Sequence, residues 1–170
     1  MTDYTQIADR VLARVLEEWR NQGHDLTKKV ENTAKSTIEQ TLGFVRITGE
    51  LEYYARFVNH GLVQNEIPYS LPSGRGGTSK YIEGLIAFAT KLGKNEKEAK
   101  GMAFAIAHTH LEEGMPTSGS MQYSSTGSRT QFVENAFKDM GPELNKLIFE
   151  EAAGDITKMF TKILTQIVDK

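Results

Sequence analysis

The sequence predicts a mainly helical α+β domain in which long amphipathic helices pack around a short β-strand or small antiparallel sheet. Two observations carry this. Over most of the chain apolar residues recur at spacings of three and four, the period of a helix with one buried face. At one place, Phe44-Val45-Arg46-Ile47-Thr48, that period gives way to a β-branched and aromatic run between Gly43 and Gly49, which reads as a strand. At 170 residues the chain suits a single domain, and with no cysteine its core must hold without disulfides.

The first stripe is Ile7, Val11, Leu12, Val15 and Trp19, ended by Asn21-Gln22-Gly23. A second helix is expected from Asp25 as N-cap, with Leu26, Val30, Ala34 and Ile38 on one face, so that residues 1–41 form an N-terminal helical hairpin. Residues 42–128 then hold the strand, several helices and two long loops. The strand needs a partner for its ladder, and either Leu62 to Ile67 or another subunit is expected to supply it.

Leu51, Tyr54, Phe57 and Val58 mark a short helix, with Gly61 placed as a left-handed C-cap and His60 near the negative end of the dipole. Pro68 to Thr78 holds two prolines and three glycines and is a loop. A helix follows from Thr78 or Ser79, burying Tyr81, Ile82, Leu85, Ile86 and Ala89 and stopping at Gly93. The next, Asn95 to Glu113, has a face of Ala99, Met102, Ala103, Ile106, Ala107 and His110, small enough for close approach of a neighbour. Met115 to Arg129 is a second polar loop, and residues 129–170 form C-terminal helices that bend or break near Gly154.

Lys and Arg total 20 against 22 Asp and Glu, so no global field draws the chain to nucleic acid or anionic lipid. The start of the chain, Met1 to Asp9, is polar, and the apolar runs are interrupted well short of a membrane span. Neither a signal peptide nor membrane insertion is expected.

The residues that carry chemistry form no catalytic constellation. His108 and His110 are two apart on a helix, so they diverge and share no metal, and His108 with Glu112 offers two ligands where a site needs three or four. Gly119-Ser120 and Gly127-Ser128 lack the strand that precedes a nucleophile elbow. In Gly74-Arg75-Gly76-Gly77-Thr78-Ser79-Lys80 the spacing fails that of a phosphate-binding loop, because Thr78-Ser79 separate the last glycine from the lysine. Arg75 with Tyr69 and Arg129 with Tyr123 invite a base-stacking reading, which the negative net charge and lack of a basic stripe oppose. What remains are loops bearing Tyr69, Arg75, Met115, Met121, Tyr123 and Arg129, types enriched at protein interfaces, and these are the candidate subunit contacts. Few apolar anchors hold the two loops, so contact with a neighbour is expected to order them.

Taken in order, Tyr54-Ala55-x-x-Val58-x-x-Gly61 after a strand, the Gly-rich loop, Tyr81-Ile82-Glu83-x-Leu85-Ile86, Phe104-Ala105-Ile106-Ala107 leading to Glu113-Gly114-Met115-Pro116-Thr117, and Phe132-Val133-Glu134-x-Ala136-Phe137 resemble the tail-completion and neck proteins of tailed bacteriophages. The similarity runs from about Phe44 to Phe137 and lies in order and spacing. That family usually carries more strand before its Tyr-Ala segment, and often a Pro-Phe pair where Gln131-Phe132 stands here. The resemblance implies a non-enzymatic virion protein assembled in the host cytoplasm. It implies a homo-oligomeric ring between head connector and tail, in contact with other neck and tail proteins, with no cofactor, no membrane and no sequence-specific nucleic acid. A helical DNA-binding or regulatory protein is the alternative, and an enzyme acting through His108 and Glu112 the third reading.

Overall fold

The computed structural model describes residues 4–24, 28–41, 44–69 and 79–168, with side chains to residue 162. The chain is α+β, 69% helical with one two-stranded antiparallel sheet among the described residues. In order the elements are α1 (Thr5–Asn21), α2 (Lys29–Thr33), β1 (Lys35–Thr41), β2 (Phe44–Glu50), α3 (Tyr53–His60), α4 (Lys80–Lys91), α5 (Glu96–Glu113) and α6 (Phe132–Val168). Short 3-10 turns occupy Gln64–Glu66 and Ser118–Tyr123. They divide into two compact units, residues 1–55 with 131–170, and residues 56–130.

In the first unit α1 is the common support. Its predicted stripe buries Ile7, Val15 and Trp19 together with Ala8, and the Trp19 ring meets Phe132 of α6 edge-on at 5.0 Å and Tyr54 at 6.2 Å. Burying a large aromatic of this kind contributes on the order of 2–3 kcal/mol. Arg14 crosses to Asp139 at 2.6 Å and Arg10 pairs with Glu143, both bridging α1 and α6. The buried Glu18 carboxylate accepts from Gln22 Nε2 at 3.1 Å and lies 3.9 Å from Arg14, so its charge is not left alone.

The expected N-terminal helical hairpin is corrected. Only Lys29–Thr33 is helical after α1, and Lys35–Thr41 is a strand. Asp25 and Leu26, expected to open that helix, lie outside the described residues. Val30, Ala34 and Ile38 do fit a helical period, but Lys35-Ser36-Thr37-Ile38-Glu39-Gln40-Thr41 carries the β-branched Thr37, Ile38 and Thr41 and alternates exposed with half-buried positions. A ladder with β2 satisfies both backbones, and it outweighs the local period. β1 therefore supplies the partner expected from Leu62 to Ile67 or another subunit, pairing Ile38 with Ile47, Glu39 with Arg46 and Lys35 with Glu50. The break expected near Gly154 is also absent, for α6 runs unbroken through it and through Pro142. Glycine keeps its backbone N–H and so costs the helix only about 1 kcal/mol.

In the second unit α4 lies against α5. Ile82 packs on Ala103 and Ala107, with Tyr81, Leu85 and Ile86 around them, so the small face of α5 does admit a close neighbour. Ser79 Oγ accepts from Ile82 N at 3.3 Å as N-cap of α4. Asn95 and Glu98 close a capping box on α5 through bonds of 3.0 and 3.3 Å. Leu62 and Met115 exchange two backbone hydrogen bonds of 2.8 Å, an isolated bridge that ties the segment after α3 to the end of α5.

Gly114 shows how tight that bridge is. Its φ of 83° and ψ of −164° belong to a region that side chains avoid, and a Cβ there would stand 2.6 Å from the Leu62 carbonyl oxygen. Gly93 shares a positive φ of 82° but has nothing within 4 Å. Replacing Gly114 by Ala is expected to cost about 2–3 kcal/mol, and Gly93→Ala only about 1 kcal/mol. Equal shifts of the denaturant midpoint for the two variants would show that the bridge does not constrain this turn.

Candidate interaction surfaces

The candidate loop residues separate once placed. Arg75 lies outside the described residues, as does most of the Gly-rich segment compared with a phosphate loop. Tyr69 is half-buried on the α4 and α5 pair, its ring 5.8 Å edge-on to His108 and 6.4 Å from Phe104. Met115 is half-buried, its backbone engaged in the bridge to Leu62.

Tyr123 and Arg129 do come together on the Met115 to Arg129 loop. The Arg129 guanidinium sits 5.9 Å from the centre of the Tyr123 ring and donates to the Ser120 carbonyl at 3.1 Å. Burial lowers its pKa below the ordinary arginine value. Tyr123 is 68% exposed and Met121 is also exposed. The loop is held by its own hydrogen bonds, against the expectation that a neighbour must order it. Glu113 accepts from both the N–H and the hydroxyl of Ser118 at 2.7 Å, and these bonds hold its carboxyl below the usual range. Ser124 Oγ donates to the Ser128 carbonyl at 2.5 Å.

The histidines divide as the helical spacing requires, with His108 exposed and His110 buried. His110 Nδ1 is bonded to the Tyr81 hydroxyl, and His60 Nδ1 reaches the Arg56 carbonyl at 3.0 Å in the last turn of α3. Among the described residues no group of three or more His, Asp or Glu is placed to hold a metal ion, and no helix is long and apolar enough to cross a membrane.

Two apolar features of the first unit emerge only in three dimensions. One is a cleft of about 440 Å³ walled by Val11 and Leu12 of α1, Val45 and Ile47 of β2, and Val133, Phe137, Leu144 and Ile148 of α6. The other is on α6 itself, where Ile148, Phe149, Ile156, Met159 and Phe160 are exposed, Phe149 to 73%. At about 100° per residue these five fall within roughly 120° of the helix circumference, a continuous stripe rather than scattered positions. Their periodicity is legible in the sequence, but nothing in it says that the first unit stops short of covering them. No protein-family model matches the chain, and neither a curated protein nor a solved structure matches it.

The buried His110 makes the second unit sensitive to acid. Burial lowers its pKa below 6.5, against the opposing pull of Glu113. The unfolded chain therefore takes up a proton that the folded chain resists, and stability is expected to fall as pH drops below 6.5 and to stop falling once His110 protonates in the fold. Burial pushes the Tyr81 hydroxyl up to about 12 from 10.0, so a second loss begins above pH 10 and runs to about 12. Thermal melts across both ranges check this. His110→Asn, which keeps a partner for Tyr81, should flatten the acid limb; an unchanged limb would place its origin elsewhere.

Proposed function

We propose that this chain is a non-enzymatic structural subunit that assembles with copies of itself into a ring, in the neck or tail-completion region of a tailed phage. The observation that carries the assembly reading is the uncovered apolar stripe of α6 from Ile148 to Phe160. An exposed continuous apolar patch on one helix is expensive in water and marks an interaction site. The exposed Met121 and Tyr123 supply further residues of interface type on the other unit. Two different sets of interface residues on one chain suit the head-to-tail contacts from which rings close. The phage neck as the place of that ring rests on the sequence resemblance alone.

The test is mass under native conditions. The wild-type chain is expected as a closed oligomer at micromolar concentration. Phe149→Ser combined with Phe160→Ser should weaken association by about 100-fold or more, taking roughly 1.5–3 kcal/mol for each buried Phe and 1.4 kcal/mol for each tenfold. Circular dichroism should be unchanged. A monomeric wild type, or a double variant that assembles as the wild type does, would overturn the reading.

A further inference from the structure

We propose that copies of this chain join by strand addition, the outer edge of β2 in one copy pairing antiparallel with the outer edge of β1 in the next. The inference rests on the ring reading and adds to the α6 stripe a second contact between neighbouring copies. In an antiparallel ladder successive residues turn their backbone groups alternately to either side, so half the N–H and C=O groups of β1 and β2 face away from the hairpin. The sheet has only these two strands among the described residues, and no backbone hydrogen bond there reaches its outer edges. One face of the hairpin packs on α1, and a bare strand edge is a template for another strand.

The side chains say which strand fits. On the exposed face of the hairpin Lys35 stands opposite Glu50, Thr37 opposite Thr48, and Glu39 opposite Arg46, the last pair 3.5 Å apart. A neighbouring β1 laid on β2 in this same register repeats each of those pairs between copies, and on the half-buried face it sets Ile38 of the next copy against Ile47. The alternation of the ladder makes this register available, because the outward-facing residues of β2 then meet the outward-facing residues of the neighbouring β1. Parallel pairing with Thr37 opposite Thr48 would instead set Lys35 against Arg46 and Glu39 against Glu50, like charges face to face. Pairing β2 with β2 about Thr48 also matches Arg46 to Glu50, but it leaves the β1 edge of both copies bare. Only the β2-to-β1 arrangement uses a different edge on each side of the subunit, as a closed head-to-tail ring requires.

The chain has no cysteine, so placed cysteines report the pairing without interference. Thr37 and Thr48 are both exposed, and the distance between paired Cα atoms in a ladder, about 4.5–5.5 Å, permits a disulfide. Within one copy Thr37 already faces Thr48, so Thr37→Cys and Thr48→Cys are made as separate proteins, mixed under dissociating conditions, reassembled and oxidised with diamide. The expected result is a disulfide-linked dimer of one T37C and one T48C chain, in roughly a quarter of the contacts of a randomly mixed ring. Each variant alone should give none. Dimers from T48C alone or T37C alone would overturn the proposal in favour of like-edge pairing. Native mass is measured in parallel: an oligomer with no cross-linked dimer would overturn the strand-edge contact and leave the ring reading standing, whereas a monomer would overturn both.

Discussion

The first unit depends on the apolar stripe of α1. Ile7, Ala8, Val15 and Trp19 are all buried, and they serve two neighbours at once, because the hairpin and α6 both pack on this one helix. A helix of 17 residues has too little propensity to stand alone in water, so its stability comes from what covers that stripe. The Arg14 to Asp139 and Arg10 to Glu143 pairs are partly exposed and contribute modestly. They agree with the rotation that the buried contact of Phe132 with Trp19 sets, and that rotation decides which residues of α6 face α1 and which face solvent.

From that rotation follows the uncovered part of α6. Phe132, Ala136 and Met140 are buried, whereas Ile148, Phe149, Ile156, Met159 and Phe160 are not. Thirty-seven residues of helix extend about 55 Å, and α1 with 17 spans about 25 Å, so one cannot cover the other along its whole length. The Tyr4 hydroxyl, just ahead of α1, hydrogen-bonds Asp155, near the limit of that cover. Beyond it Ile156, Met159 and Phe160 are available to another chain, while Ile148 and Phe149 are exposed before that limit because their side of the helix faces away from full cover.

The second unit solves a different problem with smaller parts. Ala103 and Ala107 are fully buried and let the backbones of α4 and α5 approach, with Ile82 filling the space between. Close approach brings the Tyr81 hydroxyl to His110, so a polar pair is satisfied inside an apolar contact. At the end of α5 the Leu62 to Met115 bridge leaves room only for glycine at Gly114. The loop that follows then closes on itself through Glu113, Ser118, Ser124 and Arg129.

Elements whose signals are local are legible in the sequence. The stripe of α1, the cap of α4 at Thr78 or Ser79, the start of α5 at Asn95, the left-handed Gly61, the stop at Gly93, the small face of α5 and the β-branched run of β2 each depend on residues within a few positions of one another. The pairing of Lys35–Thr41 was not legible there, because Val30, Ala34 and Ile38 imitate a helical face. Only the need of β2 for a ladder partner makes a strand of that segment, and such a partner is chosen in three dimensions. The same holds for the candidate contacts. Tyr69, expected as a loop contact, is packed against α5, whereas Phe149 and Phe160, whose exposure no local signal announces, face solvent on α6. Apolar periodicity states that a face must be covered. What covers it is decided by the lengths and rotations of the neighbouring helices, which no single segment of sequence encodes.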